Sequence, residues 1–170
     1  EKFNMLKPYI QISEAFRRKQ DTLHFIKKAE KDTLAVYKYP EGTLVDLNEA
    51  DTTELKKIPG IGSGIARMIV AYRKRLGGFY DMAQLKEVNY VDEDMLRWFK
   101  LGNAPIHRIN ANKAGLDKLR SHPYMNFYQA KVIIEYRRKK GKLKSLSQLS
   151  LYEEFTEKDL ERLSHYLAFD

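Results

Sequence analysis

The stretch from Leu55 to Arg73 reads LKKIPGIGSGIARMIVAYR and interrupts a helical pattern with one proline and two glycines. Apolar residues at helical spacing precede Pro59 and resume after Gly62. The two helices therefore meet at a tight turn, whose backbone reaches the surface with no side chain in the way. The first helix is expected to begin at a cap formed by Asp51, and the second to end at Gly77-Gly78.

The helix that follows Gly62 presents its first backbone N–H groups to the turn, and these groups carry partial positive charge. Lys56, Lys57 and Arg67 add full positive charges nearby in the sequence. Such a site suits an oxyanion, and the phosphate of a nucleic-acid backbone is the first candidate. The sequence leaves one alternative open, a helical corner whose glycines serve only close packing.

The spacing Leu-x-x-Ile-Pro-Gly-Ile-Gly-x-x-x-Ala-x-x-Ile, from Leu55 to Ile69, resembles the helix-hairpin-helix DNA-binding motif. Together with the flanking residues 45–51 and 72–79, it is similar to bacterial competence DNA receptors. The resemblance implies sequence-independent binding of double-stranded DNA through hairpin backbone amides, a role in DNA uptake, and a place in the bacterial cell envelope or periplasm. The DNA-contacting residues that it implies are Lys56, Lys57, Gly60, Ile61, Gly62, Ser63, Gly64 and Arg67.

The pattern recurs in the second half of the chain. Pro123 lies 64 residues after Pro59, and the apolar positions that follow keep the same offset. Further upstream, Ile109-Asn110 resembles Leu47-Asn48, which predicts two extra residues in the later copy. Because the offset is longer than that of ordinary solenoid repeats, each copy is expected to be a small four-helix domain.

The sequence therefore predicts an all-α chain of tandem double helix-hairpin-helix domains with a helical N-terminal connector. Residues 45–106 form the first predicted domain, and residues 107–170 the second. Residues 1–44 are expected to hold the end of a truncated upstream repeat and an amphipathic connector with basic residues between Arg17 and Lys28. Attachment of that basic segment to an anionic membrane surface is a further alternative.

Only the first predicted hairpin keeps both glycines. In the second copy, IPGIG becomes HPYMN at residues 122–126, whose side chains hinder close approach of a phosphate. Asn126 can still adopt a left-handed conformation, which would preserve the turn without its binding surface, and packing is the expected role of Tyr124, Phe127 and Tyr128. The hairpin at residues 89–92 precedes three carboxylates and a helix expected to reach Phe99, and it is predicted to be structural.

The second copy also carries a basic excess that the first lacks. The excess is concentrated in the run YRRKKGKLK, from Tyr136 to Lys144, at a predicted helix end. This run is either a solvated helix end or a phosphate track, and the sequence leaves both open. As a phosphate track, it would place DNA contacts at Arg137, Arg138, Lys139, Lys140 and Lys142. Neither site supplies base readout, so binding is expected to be weakly sequence-dependent.

The chain of 170 residues has a net charge of +8, which favours anionic partners. It has no cysteine, which excludes disulfides and thiolate metal sites, and its four histidines lack metal-ligand spacing. No phosphate loop, dinucleotide fingerprint or nucleophile elbow is present. We therefore expect a non-enzyme without catalytic residues, metal, cofactor or small-molecule substrate, with double-stranded DNA and other protein subunits as partners. The alternative function is a structural or protein-interaction scaffold that has lost DNA binding.

Overall fold

The computed structural model describes residues 37–170, of which Lys38–Asp170 form one compact unit. The expectations for the upstream repeat, the connector helix and the basic segment at 17–28 lie outside the described residues. Within the described part, no helix is long and apolar enough to span a bilayer. The two sequence copies are called repeat 1 (residues 45–106) and repeat 2 (residues 107–170), and these boundaries stay a prediction.

The two repeats contain the same elements in the same order. Repeat 1 consists of β1 (Val45–Asp46), α1 (Thr52–Leu55), α2 (Ser63–Leu76), a 3-10 helix (Met82–Glu87), α3 (Glu93–Leu96) and β2 (Phe99–Lys100). Repeat 2 consists of β3 (Ile109–Asn110), α4 (Leu116–Arg120), α5 (Phe127–Lys140), a 3-10 helix (Leu146–Gln148), α6 (Glu157–Ser164) and β4 (Leu167–Ala168). The mostly helical architecture confirms the predicted fold class.

Helix boundaries in repeat 1 follow from capping chemistry. The side chain of Asp51 accepts hydrogen bonds from the N–H groups of Thr53 (2.7 Å) and Glu54 (2.8 Å) and so begins α1. α2 ends at Gly77, whose φ of +92° is the left-handed value that glycine adopts without strain. The predicted cap at Asp51 and the predicted stop at Gly77 are therefore confirmed.

Each repeat closes with a pair of parallel two-residue strands. Val45 pairs with Phe99 in repeat 1, and Ile109 pairs with Leu167 in repeat 2. The expectation that a helix reaches Phe99 is wrong, because α3 ends at Leu96 and the chain then turns back to its entry strand. Two residues are too few to produce a periodic signal, so the sequence pattern did not indicate these strands.

The repeats align at an offset of 64 residues from the first strand to the 3-10 helix, without the predicted insertion. The side chain of Asn48 exchanges hydrogen bonds with the backbone of Phe79 (2.9 and 2.8 Å), and that of Asn112 does so with Leu143 (2.9 and 2.8 Å). Asn112, not Asn110, is therefore the counterpart of Asn48. The predicted insertion is wrong because an Ile-Asn pair resembles Leu-Asn more closely than the true Ala-Asn counterpart does.

Each repeat has its own apolar core, and one aromatic residue of repeat 2 belongs to the core of repeat 1. Tyr166 is fully buried among residues of the first core. Its hydroxyl donates to the carbonyl of Gly78 (2.9 Å) and accepts from Nε2 of Gln84 (2.8 Å). Because a buried polar group must be hydrogen-bonded to avoid a large desolvation penalty, these bonds hold the two repeats in one arrangement.

Candidate nucleic-acid interface

The turn between α1 and α2, residues 58–62, is called hairpin 1. The N–H of Ile61 donates to the carbonyl of Ile58 (3.2 Å), with Pro59 and Gly60 at the two central positions. Gly60 has a φ of +83°, the left-handed value that the third residue of a type II turn requires. The Ile61 amide, which the sequence suggested as a phosphate contact, is thus used inside the turn, and the Ile61 side chain is buried.

Neither packing nor backbone geometry requires glycine at two other positions of the site. Gly62 has a φ of −94°, and a Cβ at Gly62 or Gly64 would meet no atom of residues 37–170 within 4 Å. Both residues are exposed. The close-packing alternative therefore fails at these positions within residues 37–170, because no atom of that part of the chain is near enough to pack against a side chain there. Glycine at these positions instead leaves the backbone open to a ligand.

Among residues 37–170, no side chain caps the N-terminus of α2. Gly62 occupies the N-cap position and offers no acceptor to the first helical turn. Ser63 and Gly64, which begin that turn, are exposed, and their N–H groups donate no hydrogen bond within residues 37–170. A helix of 14 residues also presents roughly half a positive charge at this end. Amides and partial charge together form an anion seat, as we call it, made of backbone alone.

Positive side chains flank the anion seat. Arg67 lies one turn into α2, is exposed, and donates from Nε to the carbonyl of Ser63 (3.2 Å). Lys57 holds its ammonium group 5.5 Å from the ring centroid of Tyr39, and Lys56 beside it is partly buried. Arg67 thus lies at the start of α2 and both lysines lie at the end of α1, and their contact with DNA stays a prediction.

Lys38 is a further cation at hairpin 1, and sequence reasoning missed it. Its ammonium group donates to the carbonyls of Lys56 (2.6 Å) and Ile58 (3.1 Å) at the end of α1. A positive charge is favourable there because the last carbonyls of a helix are unpaired. No motif pointed to Lys38, which lies in the segment interpreted as a connector; only the fold brings it to the hairpin.

Hairpin 2, residues 88–92, has acidic surroundings. The side chain of Asp92 caps α3. Glu93 forms an ion pair and hydrogen bond with Lys86, and this contact lowers the pKa of the Glu93 carboxyl. Tyr90 at the tip adopts a left-handed φ of +66° and is 79% exposed. Carboxylates at this position repel phosphate, which agrees with the structural role that remains a prediction for this hairpin.

Hairpin 3, residues 122–126, packs on repeat 1. His122 is buried; its Nε2 lies 3.0 Å from the carbonyl oxygen of Leu76, and its Nδ1 accepts the N–H of Tyr124 (3.2 Å). These contacts place the imidazole proton on Nε2, and desolvation lowers the pKa of His122 to about 4. The hydroxyl of Tyr124 donates to Glu87 of repeat 1 (2.8 Å). The hairpin that lost its glycines thus joins the two repeats.

The N-terminus of α5 is closed by its own side chains. Oδ1 of Asn126 accepts the N–H of Gln129, and Oε1 of Gln129 accepts the N–H of Asn126, both at 2.9 Å. Asn126 does not adopt the left-handed conformation that is open to asparagine: its φ is −86°, and the residue caps the helix. The Asn-x-x-Gln spacing is the sequence signal of this capping box, and it competes with the left-handed preference of asparagine. The capping box thus gives one N–H group at the start of α5, that of Gln129, a side-chain acceptor, whereas the corresponding N–H in α2 has none within residues 37–170.

Two aromatic side chains at the start of α5 are exposed. Phe127 is 45% and Tyr128 is 67% exposed, and their rings contact each other with centroids 5.6 Å apart. The packing expectation is therefore wrong for both, because they occupy the outward positions that Ser63 and Gly64 occupy in α2. It is confirmed for Tyr124, which packs against both cores.

The basic run at the end of α5 contains both engaged and unpaired side chains. Nη1 of Arg137 donates to two carbonyls of the loop before α4 (2.6 and 3.3 Å). Lys139 pairs with a carboxylate one turn earlier in α5 (3.7 Å), and Lys140 lies 5.5 Å from a tyrosine ring centroid. Arg138 and Lys142 are exposed, and their side chains form no hydrogen bond or ion pair within residues 37–170. These two residues are the best placed to attract an external phosphate.

The described contacts do not bring hairpin 1 and the basic run together. Hairpin 1 lies at the N-terminus of α2, and the other end of α2 contacts hairpin 3. Hairpin 3 leads into α5, and the basic run lies at the far end of that helix. Each helix has 14 residues and is about 21 Å long. Within residues 37–170, no hydrogen bond, ion pair or ring contact joins the two groups of residues predicted from the sequence, so we describe them as two patches.

Both repeats match one known protein family. The helix-hairpin-helix motif family matches residues 41–98 and 105–168. Endonuclease/exonuclease/phosphatase family domain-containing protein 1 of Mus musculus is 27% identical over 154 residues, covering 71% of this chain and 27% of that protein; the Rattus norvegicus protein gives the same values. The Xenopus laevis protein of that name is 25% identical over 146 residues, covering 71% and 26%. The chain spans about a quarter of the length of these relatives. No solved structure matches it.

Proposed function

The chain belongs to the helix-hairpin-helix motif family, and from this premise we propose that it binds double-stranded DNA through the phosphate backbone without reading its sequence. Membership of this family implies non-specific DNA binding. The observation that carries the proposal is the open N-terminus of α2, where Gly62 provides neither a cap nor a side chain. A phosphate at this position would accept hydrogen bonds from the N–H groups that residues 37–170 leave without an acceptor.

At the anion seat, the N–H groups of Ser63 and Gly64 donate to the non-bridging oxygens of one phosphate. Arg67 lies beside these amides and adds a full charge. Lys56 and Lys57 attract the neighbouring phosphates of the same strand. Backbone amides and lysines meet the same atoms whatever the base, so the contacts set the position of the duplex and supply no sequence information.

We propose that the described part of the chain contributes binding and no catalysis. Three buried titratable side chains have structural partners: His122 and Tyr166 are used in the contact between the repeats, and the hydroxyl of Tyr136 accepts a hydrogen bond from Gln148 (2.8 Å). Among residues 37–170, no group of three or more His, Asp or Glu side chains is arranged to hold a metal ion. Nuclease activity on duplex DNA with added divalent cation would contradict this proposal.

DNA uptake at a bacterial cell envelope is the finer proposal, and it rests on the resemblance of residues 45–79 to competence DNA receptors. The relatives named above are vertebrate proteins, and their name does not refer to DNA uptake. Helix-hairpin-helix modules of this kind are therefore not confined to bacterial DNA uptake. Deletion of the gene in its host is expected to reduce uptake of labelled duplex DNA. Unchanged uptake would overturn this finer proposal and leave duplex binding in place.

A protein-interaction scaffold is the second candidate function. The exposed pair Phe127 and Tyr128 favours it, because apolar rings at a helix start are suited to a protein surface. Under this hypothesis, the double variant Phe127→Ser/Tyr128→Ser would lose partner binding, whereas duplex affinity would be absent in the wild type. Measurable duplex affinity that depends on hairpin 1 would exclude a scaffold that has lost DNA binding.

Fluorescence anisotropy with a labelled duplex tests the proposed function. We expect the double variant Lys56→Glu/Lys57→Glu to bind at least about tenfold more weakly and to reduce the slope of log K against log salt by about two. The matched control is Lys118→Glu/Arg120→Glu on α4, the corresponding helix of repeat 2. Circular dichroism checks that both variants fold. Equal losses in the two variants would mean that hairpin 1 has no special role.

A further inference from the structure

Each repeat has a cleft at the C-terminal end of its long helix, and the two clefts are built from equivalent residues. In repeat 1 the lining includes Asn48, Lys74 and Gly77, and in repeat 2 it includes Asn112, Arg138 and Gly141. Both asparagines hold the chain that leaves the helix through the same pair of hydrogen bonds. The scaffold of the two clefts is therefore the same, and their differences lie in what covers them and in their donors.

The cleft of repeat 1 is covered by the chain that leads to repeat 2. The N–H of His107 donates to the carbonyl of Gly77 (2.8 Å), and Ala104 and Pro105 line the same cleft. The two clefts have similar volumes, about 390 Å³ in repeat 1 and about 450 Å³ in repeat 2, so they differ in their lining and not in their size. No residue among 37–170 covers the cleft of repeat 2 as His107 covers that of repeat 1, and a Cβ at Gly141 would meet no atom within 4 Å. This second cleft is accessible to an external ligand.

The backbone of the second cleft differs in a way that exposes a donor. Gly77 and Gly141 have similar φ values of +92° and +86°, but their ψ values are 6° and −157°. Because the asparagine contacts beside the two glycines are the same in both repeats, the difference in ψ means that the peptide group between Gly141 and Lys142 points the opposite way to the one between Gly77 and Gly78. In repeat 1 the N–H of Gly78 donates to the carbonyl of Arg73 (3.1 Å). The N–H of Lys142 makes no such bond within the described residues.

The charges at the second cleft favour an anion. Arg138 and Lys142 line it, and their side chains are exposed and unpaired within the described part of the chain. The C-terminus of α5 opposes an anion with roughly half a negative charge. Two full positive charges at the same position outweigh that half charge. A carbonyl-rich helix end thus becomes a place where a phosphate is attracted.

We propose that this cleft seats a second backbone phosphate of bound DNA, held by Arg138, the Lys142 side chain and the Lys142 N–H. The inference rests on the proposed function and deepens it. Repeat 1 contacts the duplex at a helix N-terminus, whereas repeat 2, whose hairpin 3 is used to join the repeats, contacts it at a helix C-terminus. The second cleft thereby takes the role in repeat 2 that hairpin 1 has in repeat 1.

Duplex anisotropy titrations of three variants test this inference. Arg138→Gln/Lys142→Gln removes both cleft charges, and Lys139→Gln/Lys144→Gln removes two charges of the same basic run that do not line the cleft. We expect the cleft variant to bind about tenfold more weakly than wild type and to lower the salt slope by about one, with a clearly smaller loss in the control. Gly62→Asp at the anion seat is measured alongside them.

The outcomes separate the two proposals. Equal losses in the cleft variant and its control, while Gly62→Asp still weakens binding, would overturn the second phosphate site alone. A loss in the cleft variant with unchanged binding by Gly62→Asp would overturn the anion seat of hairpin 1 and support the cleft. Absence of duplex binding by the wild type would overturn both. In ¹⁵N spectra, the Lys142 amide is expected to shift on addition of duplex, and an unmoved Lys142 signal would contradict its part in the site.

Discussion

Gly62→Asp is expected to separate folding from DNA binding, because Gly62 is both the N-cap of α2 and part of the anion seat. Its φ of −94° and the open space at its Cβ position accept any residue without strain. Aspartate is a preferred N-cap and improves on glycine by a few tenths of a kcal/mol, and its charge at the helix N-terminus adds about 0.3–1 kcal/mol. The variant should therefore unfold at an equal or slightly higher temperature than wild type.

The same carboxylate should block phosphate binding. The carboxylate accepts hydrogen bonds from the N–H groups that would otherwise donate to the phosphate, and it places a negative charge at the anion seat. Hydrogen bonds to a charged group contribute about 1.5–3 kcal/mol, so their loss corresponds to a roughly 10- to 150-fold weaker Kd. The slope of log K against log salt should also fall by about one, since one phosphate contact is lost.

The assay combines thermal unfolding by circular dichroism with duplex anisotropy on the same preparations. Gly62→Asn supplies a cap without the charge, so its affinity should fall between wild type and Gly62→Asp. Asn126→Asp makes the same kind of change at the equivalent position of hairpin 3, and it should leave affinity unchanged. A Gly62→Asp variant that is less stable than wild type by more than about 1 kcal/mol would refute the cap argument. Unchanged affinity would refute the anion seat.

Three further predictions concern the contacts within and between the repeats. Burial lowers the pKa of His122 from an ordinary value of 6.5 to about 4 in the folded protein, so the free energy of unfolding should fall by roughly 3 kcal/mol as the pH falls from about 6.5 to 4. Urea unfolding of wild type and His122→Gln at both pH values measures this loss. An NMR titration that shows His122 titrating near pH 6.5 would contradict the prediction. Gly77→Ala combines a left-handed φ with overlap of the Cβ and a backbone carbonyl, so it should lower the free energy of unfolding by several kcal/mol. Gly141→Ala has open space within residues 37–170, but its φ and ψ of +86° and −157° lie in a region that only glycine populates readily, so it should lower the free energy of unfolding by about 1–3 kcal/mol; urea unfolding of both variants compares the two losses. Arg137→Gln removes the donor to two carbonyls and should lower the free energy of unfolding by about 1–3 kcal/mol, whereas Arg138→Gln should leave it unchanged. Equal melting temperatures for these two variants would refute the structural role of Arg137.

Local features of the fold were readable from the sequence, because they depend on residues only a few positions apart. The turn at Pro59 and Gly60, the cap at Asp51 and the helix stop at Gly77 follow from backbone conformation and short-range hydrogen bonding. The same reasoning indicated that hairpin 3 had lost the glycines of hairpin 1. Its own capping box was equally local, and the Asn-x-x-Gln spacing would have revealed it.

The tertiary structure alone decided which residues meet across the chain. Lys38 reaches hairpin 1, and Tyr166 of repeat 2 enters the core of repeat 1, through contacts that no periodicity encodes. Tertiary contacts also distinguish two adjacent arginines of the basic run. Arg137 donates hydrogen bonds to two carbonyls of a loop distant in sequence, whereas Arg138 lines a cleft. The sequence by itself determined the composition of hairpin 1 and the net charge, because both are properties of consecutive or summed residues. Which amides and charges remain available to DNA was decided by packing, because a donor is available only where no other part of the chain satisfies it.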